Sequence, residues 1–147
     1  MPLLQKAVGV AAGRMPKIIK PHAHAVIDYA VAGTFFLVGA LYWRRNKRAA
    51  MGSLICGGAA TLNAALTDYP GGILKVMSFQ THGKFDAGIA GMTAMMPELM
   101  GFKGDSESRF FTTQSMAETA VTAMTDFDYY EHAGSDRLQR HEEEGAA

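Results

Sequence analysis

A chain of 147 residues is long enough for one domain, and its 14 basic and 14 acidic side chains cancel. That balance excludes a nucleic-acid partner drawn by phosphate charge, and a single cysteine, Cys56, excludes an intrachain disulfide and reads as a small buried side chain.

In chain order, the opening MPLLQKAVGVAAGRMPK is too short and too interrupted in its apolar run for a signal peptide. The first long element is predicted from Ala23 to Trp43, where Asp28 is the sole charge. Ile27, Tyr29, Val31, Phe35, Phe36, Leu37, Val38, Leu41 and Tyr42 occupy every face of a helix, so this segment must be surrounded by apolar matter, and its length suits a membrane span. The RRNKR connector (Arg44, Arg45, Lys47, Arg48) follows. A second charge-free helix is predicted from Ala49 to Thr67, with Gly52, Ser53, Gly57, Gly58, Ala59 and Ala60 allowing helix backbones to approach closely. A third, Phe85 to Phe102, carries Asp86, Pro97 and Glu98; a fourth, Arg109 to Tyr130, holds Glu118 at its middle. Residues 129–147, with Glu142, Glu143 and Glu144, read as a polar, solvated tail. No segment alternates with period two, so the fold class is all-α.

Residues 13–70 and 71–128 align without a gap at a shift of 58. Identities include Lys17/Lys75, His24/His82, Asp28/Asp86, Ala32-Gly33/Ala90-Gly91, Thr61/Thr119 and Thr67-Asp68/Thr125-Asp126. Residues 1–128 are therefore one domain of two tandem two-helix repeats forming a four-helix bundle. Fourth-helix composition alone would suit a soluble amphipathic helix. Its pairing with the charge-free second helix makes a multi-pass membrane protein in a lipid bilayer the expected form, and a soluble bundle stays open as the alternative. Connectors 44–48 and 103–109 carry the positive clusters and are expected on the cytoplasmic side, with the termini and the 68–81 connection outside; Lys6, Arg14, Lys17 and Lys20 run against that orientation. The stretches GRMPKIIK and GGILKVMS are expected along the membrane interface.

Two-helix repeats return to the side where they start, so His24, Asp28, Asp68, His82, Asp86 and Asp126 should share one layer at one end of the bundle. Spacing i,i+4 places each His and Asp on one face. An aspartate at a helix C-terminus and an imidazolium at a helix N-terminus both oppose the macrodipole. The simplest expectation is thus a pair of clasps, His24 or His82 reaching Asp68 or Asp126. The same residues could instead hold a transition metal (Zn, Mn or Fe), or a haem with His24 and His82 as axial ligands. Proton or solute transfer through an intramembrane acid is a third use. Glu118 faces Ala60 in the alignment and is the candidate asymmetric acid. His22, aligned with Gln80, reads as a solvated interfacial histidine, and Met92, Met95, Met96 and Met100 as adaptable packing.

No phosphate loop, nucleophile elbow, C-x-x-C or H-E-x-x-H is present, so no catalytic residue is assigned. Gly91, Pro97 and Gly101-Phe102 following His82 and Asp86 resemble the SPW-repeat integral membrane proteins, although Met96-Pro97-Glu98 stands at the triplet position and the first copy has Val38-Gly39-Ala40. The resemblance spans about residues 17–128 and implies the two-repeat, four-helix membrane architecture without an activity. The expectation is a structural or accessory subunit of an oligomer or larger membrane complex. The alternative is a metal- or haem-binding membrane protein with a redox or sensing role.

Overall fold

The computed structural model describes residues 15–134, so the leader reading at 1–14 and the triple glutamate lie outside the described residues. Four long helices follow one another: α1 (Pro21–Tyr42), α2 (Lys47–Leu66), α3 (Phe79–Leu99) and α4 (Ser108–Met124). Three of the starts have a local cause in the sequence. Pro21 occupies the first turn of α1, where its missing N–H costs nothing. Asn46 accepts from Ala49 N–H to cap α2, and Ser78 accepts from Thr81 N–H to cap α3. At the end of α3, Gly101 turns the chain at φ 71°, a conformation that favours glycine, and Phe102 folds back into the core against Phe111. Among the described residues there is no strand, only two isolated bridges, and residues 129–134 are helical where the sequence suggested the start of a tail.

α1 packs on α2, α3 on α4, and α2 on α3. The small residues of α2 set these distances. A Cβ on Gly57 would lie 3.0 Å from the Phe35 Cβ, and one on Gly52 only 2.7 Å from Met96 Cγ. Ser53 donates to the Phe35 carbonyl at 2.7 Å, binding α2 to α1. The main core comprises Phe35, Ala49, Cys56, Met96, Phe102 and Phe111, with Met92 and Met100 against it, so most of the methionine stripe is packing; Met95 faces outwards.

Helices α1 and α2 are long and apolar enough to cross a membrane. Val26, Leu37 and Leu41 on α1 are each more than 60% exposed, as is Leu62 on α2, so both helices present apolar side chains on an uncovered face of the chain. The two basic connectors lie together at one end. Arg45 pairs with Glu107 at 3.6 Å, Arg48 donates to the Gly101 carbonyl, and Asn46 donates to Asp105.

The opposite end is built by symmetry. The strand-like segment before α1 bridges the end of α4 (Ile19 with Thr125), and the one before α3 bridges the end of α2 (Met77 with Thr67). The two bridges are the same pairs of aligned positions, so each repeat's entry segment docks beside the end of a second helix in the same way. These segments are not helical, and they leave Ile18, Ile73, Leu74 and Val76 exposed.

Candidate metal centre

His24 and His82 stand in the first turns of α1 and α3, with Asp28 and Asp86 one turn further on. The helical period aims each pair the same way, and the bridges bring the two pairs together. The His24 and His82 Nε2 atoms are 3.1 Å apart. His24 Nε2 lies 2.9 Å from Asp86 Oδ2 and 3.3 Å from Asp28 Oδ1. His82 Nε2 lies 3.0 Å from Asp86 and 3.2 Å from Asp28. Both histidines are buried and both aspartates nearly so, with 12% and 15% of their side chains exposed.

Two threonines fix the imidazoles. Thr67 and Thr125, the first residues after α2 and α4, donate their hydroxyl protons back to the Asn63 and Val121 carbonyls at 2.6 and 2.7 Å. A hydroxyl has one proton, so at its 2.8 Å contact with a histidine Nδ1 each threonine must accept. Both Nδ1 atoms therefore carry hydrogen, and in neutral rings both Nε2 lone pairs face the shared centre. The pairing crosses the repeats: His24 uses Thr125, and His82 uses Thr67. Phe79 and Phe127 lie edge-on to His24 at ring separations of 5.4 Å, while Tyr69 and Phe79 lie 5.2 and 5.8 Å from His82, closing the rings off from water.

The carboxylates are oriented less symmetrically. Tyr69 donates to Asp28 at 2.7 Å, and Asn63 donates to Asp86 Oδ1 at 2.8 Å. Burial, reinforced by the hydrogen bond to Asp28, holds the Tyr69 phenol far above its usual pKa, so it remains a donor.

Of the six residues expected in one layer, His24, Asp28, His82 and Asp86 converge, whereas Asp68 and Asp126 do not reach the histidines. Thr67 and Thr125 leave their helices in extended conformation (ψ 139° and 136°), which turns the next side chain outwards. Asp68 is 65% exposed and sits 3.6 Å from Lys75; Asp126 lies 4.0 Å from His132. The expected clasps are thus replaced by Thr–His bonds at the neighbouring positions. Threonine can do this because its hydroxyl returns to the i−4 carbonyl of its own helix. Thr67 and Thr125 belong to the matched T-D-aromatic pattern and had as strong a claim as the aspartates. Tyr69 is matched in that pattern only as an aromatic, by Phe127, which carries no hydroxyl, and Asn63 aligns with Val121, so duplication gave no signal for either polar group. Glu118 is buried at 8% exposure, weakly bonded to Gln114 at 3.5 Å through Oε1, and lies apart from the four-residue group. His22 is exposed.

No protein-family model, curated protein or solved structure matches the chain.

Two imidazole nitrogens and two carboxylate oxygens, each within 4.8 Å of the others, are a group that could bind a metal ion. Ligands at 2.0–2.2 Å from an ion stand about 3.3–3.6 Å apart around a tetrahedron and about 2.8–3.1 Å apart at neighbouring octahedral corners. The separations of 2.9–3.3 Å between the nitrogens and oxygens run from the octahedral spacing to the lower edge of the tetrahedral one.

Proposed function

We propose that this chain is a small integral membrane protein, a four-helix bundle of two repeats, that holds one divalent first-row transition-metal ion on His24, Asp28, His82 and Asp86. The observation that carries the reading is the pair of threonine acceptors, which direct both Nε2 lone pairs to one point between two carboxylates. A hydrogen-bonded Nδ1–H is the usual support of a ligating imidazole. Charge supports it too. Two aspartates supply two negative charges, neutral imidazoles none, and a divalent ion brings the buried group to zero. Mixed nitrogen and oxygen donors suit Zn, Mn or Fe. A haem suits the geometry poorly, because axial imidazole nitrogens stand about 4 Å apart across the ring plane, and the two here are 3.1 Å apart with carboxylates between them.

Exposed apolar side chains on α1 and α2 support the bilayer, and the repeat extends that reading to α3 and α4, in keeping with the resemblance to SPW-repeat proteins. The clustered Arg44, Arg45, Arg48 and Lys103 would face the cytoplasm, which places the metal group towards the outer face.

Protein purified in mild detergent should carry close to one metal ion per chain by elemental analysis, and a chelator should lower its melting temperature. A second reading, an accessory subunit in which the same four side chains form a metal-free ion-pair clasp, is favoured by charge balance, since two doubly protonated imidazoles would offset the two aspartates that each of them contacts. Failure to take up Zn2+ or Mn2+, with no response to chelator, would select it. Recovery of the protein in the soluble fraction without detergent would overturn the membrane assignment.

A further inference from the structure

Glu118 is a buried acid that has no part in the metal group, and it has a place to act. One of its carboxylate oxygens, Oε2, is buried and has no hydrogen-bond partner, and leaving such an atom unsatisfied is costly. Beside it is a cavity of about 30 Å³ lined by His24, Asp28, Asp86, Ala60 and Glu118, the share of volume that one water takes in the liquid. The remaining wall is apolar at Ile27, Val31, Ile89 and Val121, with Thr122 its one further polar residue. So the ionisable groups that line this space are those of the metal group at one side and Glu118. Its aligned position in the first repeat is Ala60, which lines the same space. Within this cavity the pseudo-symmetric metal group therefore faces an acid on one side and an alanine at the equivalent position.

We propose that the cavity is a binding position for one water-sized ligand, held by Glu118 Oε2, and that this ligand is a water molecule on an open coordination position of the ion. The inference rests on the metal reading above. It places the exchangeable position inside the bundle, so anything reaching the ion there must be no larger than a few atoms, and it makes Glu118 a positioning residue for that ligand and not a fifth ligand itself.

The test uses full-length protein in detergent, loaded with Mn2+ and equilibrated with 17O-labelled water, with the 17O hyperfine coupling read by electron–nuclear double resonance. The unmodified protein should show Mn2+ at one per chain with a 17O coupling. Glu118→Gln, which keeps a hydrogen-bonding group, should retain it; Glu118→Leu should lose it while still binding Mn2+. Ala60→Val fills the space from the opposite wall without touching the acid and should lose it as well, which keeps the test decisive if the leucine variant does not fold. If Mn2+ binds and the coupling is absent from the unmodified protein, or persists unchanged in Ala60→Val or Glu118→Leu, the water position is refuted and the metal reading stands. If Mn2+ does not bind, both fail together.

Discussion

The two repeats use identical residues for what touches the centre and different ones for what surrounds it. His24/His82, Asp28/Asp86 and Thr67/Thr125 occur in both copies and make equivalent contacts across the pseudo-twofold axis. One shell further out the copies diverge: Tyr69 bonds Asp28 where the second copy has Phe127, Asn63 bonds Asp86 where the second has Val121, and Glu118 answers Ala60. Symmetry is thus retained where four donors must meet at one point. It is relaxed where a single hydrogen bond only steadies a carboxylate that already faces two imidazoles.

The largest effect should come from the shared residues. His24→Ala and His82→Ala should each abolish retention of the ion, beyond the roughly 10–100-fold that losing a supporting residue costs, and isothermal titration with Zn2+ should find the two equally defective. A clear inequality would mean that one repeat owns the site. Next come Thr67→Val and Thr125→Val, which keep shape but remove the threonine acceptor from a buried Nδ1–H, leaving His82 with the longer contact to the Asn63 carbonyl at 3.4 Å. Each should weaken metal affinity by about 10–100-fold, again to matching extents, with the secondary structure by circular dichroism unchanged.

The divergent residues should do less. Tyr69→Phe places in the first repeat what the second already has, and a loss of about 1 kcal/mol in thermal stability is expected; Asn63→Val should be similar, and the double variant should depart from additivity, since both aspartates contact the same two imidazoles. A collapse of metal binding in Tyr69→Phe would show that the second repeat depends on a compensation absent from the first. Smallest of all are Asp68→Ala and Asp126→Ala. Both side chains point away from the histidines, and the Asp68–Lys75 pair is well exposed, so changes within about 0.5 kcal/mol should be seen in detergent melts.

Much of this arrangement was legible beforehand because duplication marks residues in pairs. The helices from Pro21 and Lys47 follow from charge-free apolar runs, and the meeting of His24, Asp28, His82 and Asp86 follows from i,i+4 spacing in hairpins that return to one side. The role of the matched Asp68 and Asp126 was misjudged for a local reason. Whether a helix ends in a helical turn or an extended residue decides which of two adjacent side chains faces inwards, and a sequence containing Thr-Asp permits both. The bridges at Ile19 and Met77, formed by segments with no strand signature, are what fixed the choice. The hydrogen-bonding roles of Tyr69 and Asn63 were hidden for the opposite reason, since Phe127 and Val121 stand at their aligned positions and neither can make the same bond.

The crossed Thr–His bonds carry a consequence for how such a chain can be divided. Cut within the 70–72 loop, it yields two hairpins, each bearing one imidazole, one carboxylate and one threonine, and neither hairpin's histidine has its acceptor at home. The ion would lie on the axis between the hairpins, owned by neither, so half a chain has no weaker version of the centre; it has none until it meets the other half. Any ancestor consisting of one hairpin would have had to pair with a copy of itself to hold the same ion, and the fused chain keeps that obligation as an internal one.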